Sequence, residues 1–150
     1  MPYAKETDVP FERSVAEIVG LLKKAGADQI AQVGQRERFT IQFTMADRML
    51  RFRVDYLSAE QIDKLTGPRQ DPAKVKAQWH RQRGRALLLV IKAKLEAVDS
   101  GVETFEQAFL ANVVLSNGET VHERIAAPIA AEYETGAVQP TGALFLQGPR

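Results

Sequence analysis

The sequence predicts an α+β fold, and three changes of pattern along it carry that prediction. Apolar residues first recur three and four apart, then alternate with polar ones over two neighbouring runs, then return to helical spacing through a long uninterrupted segment. The 150 residues are enough to bury a real core in one compact chain. The expected architecture is a helix-covered antiparallel sheet over residues 1–57 and a short helix with a linker over 58–73. A long central basic helix, a helical layer and a small β-hairpin follow over 74–136, and an extended tail over 137–150.

Each element has its own signal. In "VPFERSVAEIVGLLKKAG", Val15, Ile18, Val19 and Leu22 fall on one helical face, with Ser14-x-x-Glu17 read as the N-terminal cap and Gly26 as the stop. "RFTIQFTM" turns Phe39, Ile41, Phe43 and Met45 one way and Arg38, Thr40, Gln42 and Thr44 the other. "LRFRVDY" sets Leu50, Phe52, Val54 and Tyr56 against Arg51, Arg53 and Asp55, so the two runs read as half-buried antiparallel strands joined through "ADR". "QIAQV" is expected as a third strand, and the first helix as the cover of the apolar face.

"LSAEQIDKLTGPRQDP" predicts a short helix capped by Ser58 with Gln61 and closed by Gly67-Pro68. Asp71-Pro72 then opens the longest helix, which nothing stops before Ser100-Gly101. Gly84 inside it marks either a kink or a close crossing of another backbone. Thr104-x-x-Gln107 caps a further helix, Asn117-Gly118 in "VVLSNGETV" predicts the hairpin, and "HERIAAPIAAEYETG" a last helix bent at Pro128.

Composition narrows the chemistry. With 45% hydrophobic and 26% charged residues the chain is of globular type. It has no cysteine, which excludes disulfides, thiolate metal sites and a cysteine nucleophile. No leader opens it and no run approaches the roughly 20 apolar residues of a membrane span, so no membrane partner and a cytoplasmic address are expected. There is no phosphate-cradling glycine loop, no serine elbow and no acid two places before a lysine. His122 and Glu123, near Glu119, have no third ligand at helical spacing. The expectation is a non-enzyme with neither cofactor nor metal.

Charge is distributed in blocks. Residues 1–73 are neutral overall, 74–94 hold seven Lys or Arg and no acid, and 95–150 are net −6. On a helix, Lys74, Arg81, Arg85 and Lys92 fall within about 20° of one line spanning about 27 Å, with a second line through Lys76, Arg83 and Lys94. Between the two lines Val75, Trp79, Ala86, Val90, Ala93 and Ala97 share an apolar stripe, and Leu87, Ile91, Leu95 and Val98 make another. Two stripes predict a central helix buried between layers, with Trp79 as a core or interface anchor ahead of its alternative, a base-stacking ring beside Arg81 and Arg83, and His80 at the surface. They also argue against a membrane-surface helix, which needs one wide apolar face.

The basic line, with Arg36, Arg38, Arg48, Arg51 and Arg53 around the outer sheet face, makes nucleic acid the first candidate partner, held through phosphates. No aromatic residue stands on that sheet face to stack on bases. The competing reading pairs the same cations with the acidic C-terminal half. A protein-interaction module inhibiting or adapting a host or phage protein is the alternative function.

The run "RALLLVIKAKLEAVDSGVETFEQAFLANVVL", with "GETV" and "IAAPIAAEYETG" after it, resembles small uncharacterised proteins of bacteriophages and prophages of proteobacteria. The resemblance covers the C-terminal half and, more loosely, the N-terminal half, and brings no catalytic motif. It implies an accessory protein acting on DNA, on replication or recombination machinery, or on a host protein.

Overall fold

Pro10 has no backbone N–H to donate, and its carbonyl accepts from Arg13 and Ser14, so the first helix, α1 (Phe11–Lys24), starts directly after it. Ser14 therefore lies a turn inside α1, fully buried, and does not cap it as expected. The computed structural model describes residues 2–137; the tail expected over 137–150 lies outside the described residues from 138 onward.

The antiparallel sheet runs in the order β1 (Asp28–Gly34), β2 (Arg38–Met45), β3 (Arg48–Asp55). Ala46 and Asp47 join β2 to β3 with φ of 51° and 58°, the doubly left-handed turn whose twist suits a two-residue hairpin. The register pairs Ile41 with Phe52 and Phe43 with Leu50, so the alternation in both strands lands on one buried face.

The later caps are local and form as their side chains dictate. Ser58 and Gln61 close a capping box on α2 (Ala59–Leu65), and Asp71 accepts from Ala73 N at the start of α3 (Pro72–Asp99). Thr104 with Gln107 starts α4 (Phe105–Phe109), which runs into a 3-10 turn over Leu110–Asn112. Thr120 with Glu123 starts α5 (Val121–Thr135), which holds Pro128 and ends at Gly136 with φ 70°. The expected hairpin is reduced to a turn at Asn117-Gly118 closed by a single Val114–Thr120 bridge. Its first arm is diverted to the edge of β3, where Val113 bridges Leu50 and Val114 N donates to Met49 O at 2.8 Å.

One apolar cluster joins α1, the sheet, α3, α4 and Val121. Within it α3 crosses α1 at Gly84. A Cβ on Gly84 would stand 2.9 Å from Cδ2 of Phe11 and 3.2 Å from Cβ of Ser14, so the glycine is there for close approach. The Phe11 ring is held edge-on by Phe39 and Tyr56, at 5.2 and 5.7 Å between centroids.

The expectation of a helix buried between two layers does not hold. Gly84, Leu87, Leu88 and Ile91 face the core, whereas Leu89 and Val90 are 40% and 44% exposed. The last helix is not available to cover them: α5 packs mainly on the 3-10 turn and is tied to β3 through Arg53 and Glu123.

Replacing Gly84 tests the crossing. Alanine gains about 1 kcal/mol of helix propensity, while overfilling a packed contact costs about 1–3 kcal/mol. Gly84→Ala is therefore expected to lower the urea midpoint, and Gly84→Val to lower it further. A more stable alanine variant would show that the helices are not in close contact there.

Candidate interaction face

The outer face of the sheet carries the arginines that the alternation placed there, but they are engaged. Arg38 pairs with Asp55 across the strands at 3.2 Å. Arg48 reaches Glu106 of α4 at 3.4 Å, and Arg53 reaches Glu123 of α5 at 2.8 Å. Arg51 donates to Gln42 Oε1 at 3.2 Å and to the Gly118 carbonyl at 2.8 Å. The acidic C-terminal half thus pairs with part of the sheet's positive charge. Such half-exposed pairs contribute about 0–1 kcal/mol each, so they place α4 and α5 more than they stabilise the fold. Arg36 stands exposed in the β1–β2 turn with no ion pair among the described residues.

The line of cations on α3 is likewise divided. Arg85 pairs with Glu17 of α1 at 3.1 Å, and the Arg81 guanidinium donates to Gln78 Oε1. Lys94 of the second line donates to the Ala108 carbonyl at 2.7 Å and anchors α4. Lys74 and Lys92 are exposed at opposite ends of the line, and neither has an ion pair among the described residues. The structure therefore does not gather Lys74, Arg81, Arg85, Lys92, Arg36, Arg38, Arg51 and Arg53 into one open phosphate-binding surface.

It assembles instead a different face on α3. Gln78 Nε2 donates to the carbonyls of Lys5 and Thr7 at 2.7 and 2.8 Å, and Gln82 Nε2 to that of Tyr3 at 2.9 Å. These bonds lay the N-terminal segment along the helix. Between that segment and the α2–α3 linker lies a groove of about 550 Å³, to which α3 contributes Lys74, Val75, Gln78 and Trp79, and the linker Arg69. Trp79 lines this groove half-exposed and is no part of the buried core, so of the two roles expected of it, core or interface anchor, the core role does not hold. Beyond the groove, the stripe of Trp79, Ala86, Val90, Ala93 and Ala97 continues along α3, roughly 130° around the helix from its buried face. Leu89 flanks it. The stripe was legible in the sequence; its exposure depends on where α4 and α5 pack.

A second group opposes the expectation too. His80 is a surface residue only in part: it is half-buried, and its ring lies against those of both Phe11 and Tyr56, 4.5 Å from each centroid. Burial pulls its pKa below the ordinary 6.5; Glu12 acts the other way, and Lys76 and Arg81 reinforce the fall. Burial also pushes the Tyr56 hydroxyl up, with Glu12 adding to the effect.

Near the turn, Glu119 accepts from Asn117 and Arg124, and these contacts hold its carboxyl below the usual range. With Glu123 on Arg53, both carboxylates beside His122 already have partners. No group of three or more metal-ligating side chains gathers among the described residues, and none of their helices is long and apolar enough to cross a membrane. Comparison of the chain with protein families, with curated proteins and with solved structures returns no match.

The His80 environment predicts a pH dependence. Because its folded pKa lies below the unfolded value, the unfolded chain takes up the proton first, and stability falls as pH drops through and below about 6.5. Denaturation midpoints measured from pH 7.5 to 5.5 should decline in the wild type and decline less in His80→Gln. Equal slopes would mean that the ring is not buried.

Proposed function

We propose that this protein is a non-catalytic protein-interaction module whose contact surface is the outward face of α3. The observation that carries the reading is the side-by-side exposure of Leu89 and Val90 in a 28-residue helix whose opposite face is buried in the core. Contiguous apolar surface marks recognition sites, and here Leu89 and Val90 adjoin Ala86, Ala93 and Ala97 on the same side of the helix. The resemblance of the C-terminal half to phage and prophage proteins suits a small adaptor or inhibitor acting on a host or phage protein.

Nucleic acid, the first candidate from charge alone, loses support because Arg38, Arg51, Arg53, Arg81 and Arg85 already hold hydrogen-bond or ion-pair partners. One observation keeps it as a second reading: Trp79, Arg69 and Lys74 line one groove, with Glu6 and Asp71 in the same lining, and an aromatic side chain with cations is the combination that holds single strands.

The two readings separate in one comparison. Immobilised wild-type protein and a folded Leu89→Asp, Val90→Asp variant are exposed to nuclease-treated bacterial lysate, and labelled single-stranded DNA is titrated separately against salt. The interaction reading predicts a protein retained by the wild type and lost by the variant, with weak DNA binding. DNA binding that falls steeply with salt and is abolished by Trp79→Ala would favour the second reading instead.

A further inference from the structure

Resting on that reading of the α3 face, we propose that its partner is an acidic amphipathic helix. The outward residues Ala86, Leu89 or Val90, Ala93 and Ala97 recur three and four apart, the spacing of a helix–helix seam. Alanine at three of these places allows a second helix to approach closely, while Leu89 and Val90 supply the apolar area such a helix would cover. An extended peptide would leave that spacing unread, since its side chains alternate with a period of two.

Charge selects the partner's polar flanks. Lys76 and Arg83 border the stripe on one side, and Lys74 and Lys92 on the other. None of these four has an ion pair among the described residues, and no Asp or Glu occurs between residues 74 and 94. Arg83 Nε is in addition buried with no acceptor among the described residues. Glu6 and Asp71 also line the groove, but the Asp71 side chain caps α3 by accepting from Ala73 N. A helix with glutamates or aspartates on both sides of an apolar ridge satisfies both rows of cations, whereas a basic helix of the same shape meets like charge along the face until Glu96, beside Ala97 at its far end.

The test uses the full chain and fluorescein-labelled peptides of about 18 residues, five helical turns. One carries leucines at three–four spacing with glutamates elsewhere, a second has lysines in place of the glutamates, and a third has the first composition in scrambled order. Anisotropy is expected to show the glutamate helix binding at least about tenfold more tightly than either of the others, with affinity falling as salt rises. Lys76→Glu with Arg83→Glu leaves one basic and one acidic flank and should remove the preference between the two amphipathic peptides, and Leu89→Asp with Val90→Asp should abolish binding of both.

Equal binding of the glutamate and lysine helices, or equal binding of the scrambled peptide, overturns the inference. If no peptide binds while the aspartate variant still loses its protein from lysate, the acidic-helix partner is wrong and the contact-face reading stands. If the variant loses nothing in either experiment, both are wrong. Tighter binding of duplex DNA than of the glutamate helix, abolished by the same substitutions, would assign the face to nucleic acid.

Discussion

The contact on which the rest of the structure depends is the crossing of α3 over α1 at Gly84. The missing Cβ lets the α3 backbone come down onto Phe11 and Ser14. Phe11, wedged there, in turn organises the ring group of Phe39, Tyr56 and His80, which ties α1, the sheet and the first half of α3 into one packed unit. A crossing this close fixes the rotation of α3 about its own axis as well as its position. One side of the helix then faces the core with Leu87, Leu88 and Ile91, and Leu89 and Val90 are turned outward by the same rotation. The proposed contact face is thus a geometric consequence of a glycine on the other side of the helix.

The charge blocks resolve in two ways. Positive charge on β3 is met by the first turns of the C-terminal helices, through Arg48 with Glu106 and Arg53 with Glu123, which positions α5 beside the sheet and away from α3. On α3 itself, Arg85 is met by Glu17 and Lys94 by a backbone carbonyl, while Lys74, Lys76 and Lys92 face outward. The asymmetry follows from topology. The acidic segment leaves the end of α3, turns through α4 and bridges to β3, so its carboxylates reach the sheet.

Local chemistry was legible in the sequence and remote packing was not. Ser58 with Gln61, Asp71 with Pro72, and Thr104 with Gln107 each act over two or three residues, and each forms as its side chains predict. The two strands declare their buried face by alternation, and Gly84 announced a kink or a close crossing, of which the packing on Phe11 shows the crossing. Ser14 misled because Pro10, one turn earlier, supplies a better start. The Asn117-Gly118 hairpin is short, and its first arm is shared with β3, Val113 bridging Leu50 and Val114 N donating to Met49 O. The arginine pairs escaped because their partners are distant in sequence: Arg53 and Glu123 are 70 residues apart, and Arg85 and Glu17 are 68 apart. The apolar stripe through Val90 was visible as a pattern, but a pattern does not state whether another element covers it.

The outward side of α3 is an open, electropositive surface with Trp79 at its N-terminal end. Trp79 is the only tryptophan in the chain, so its fluorescence reports on that surface alone. Collisional quenching by iodide compared with caesium at matched ionic strength tests the claim most directly. An open groove in which Lys5, Arg69 and Lys74 outnumber Glu6 and Asp71 predicts more efficient quenching by iodide than by caesium, and a difference that shrinks as inert salt screens the charges. Equal quenching by the two ions would deny the positive potential, and failure of both to quench would place Trp79 inside the core and contradict the account.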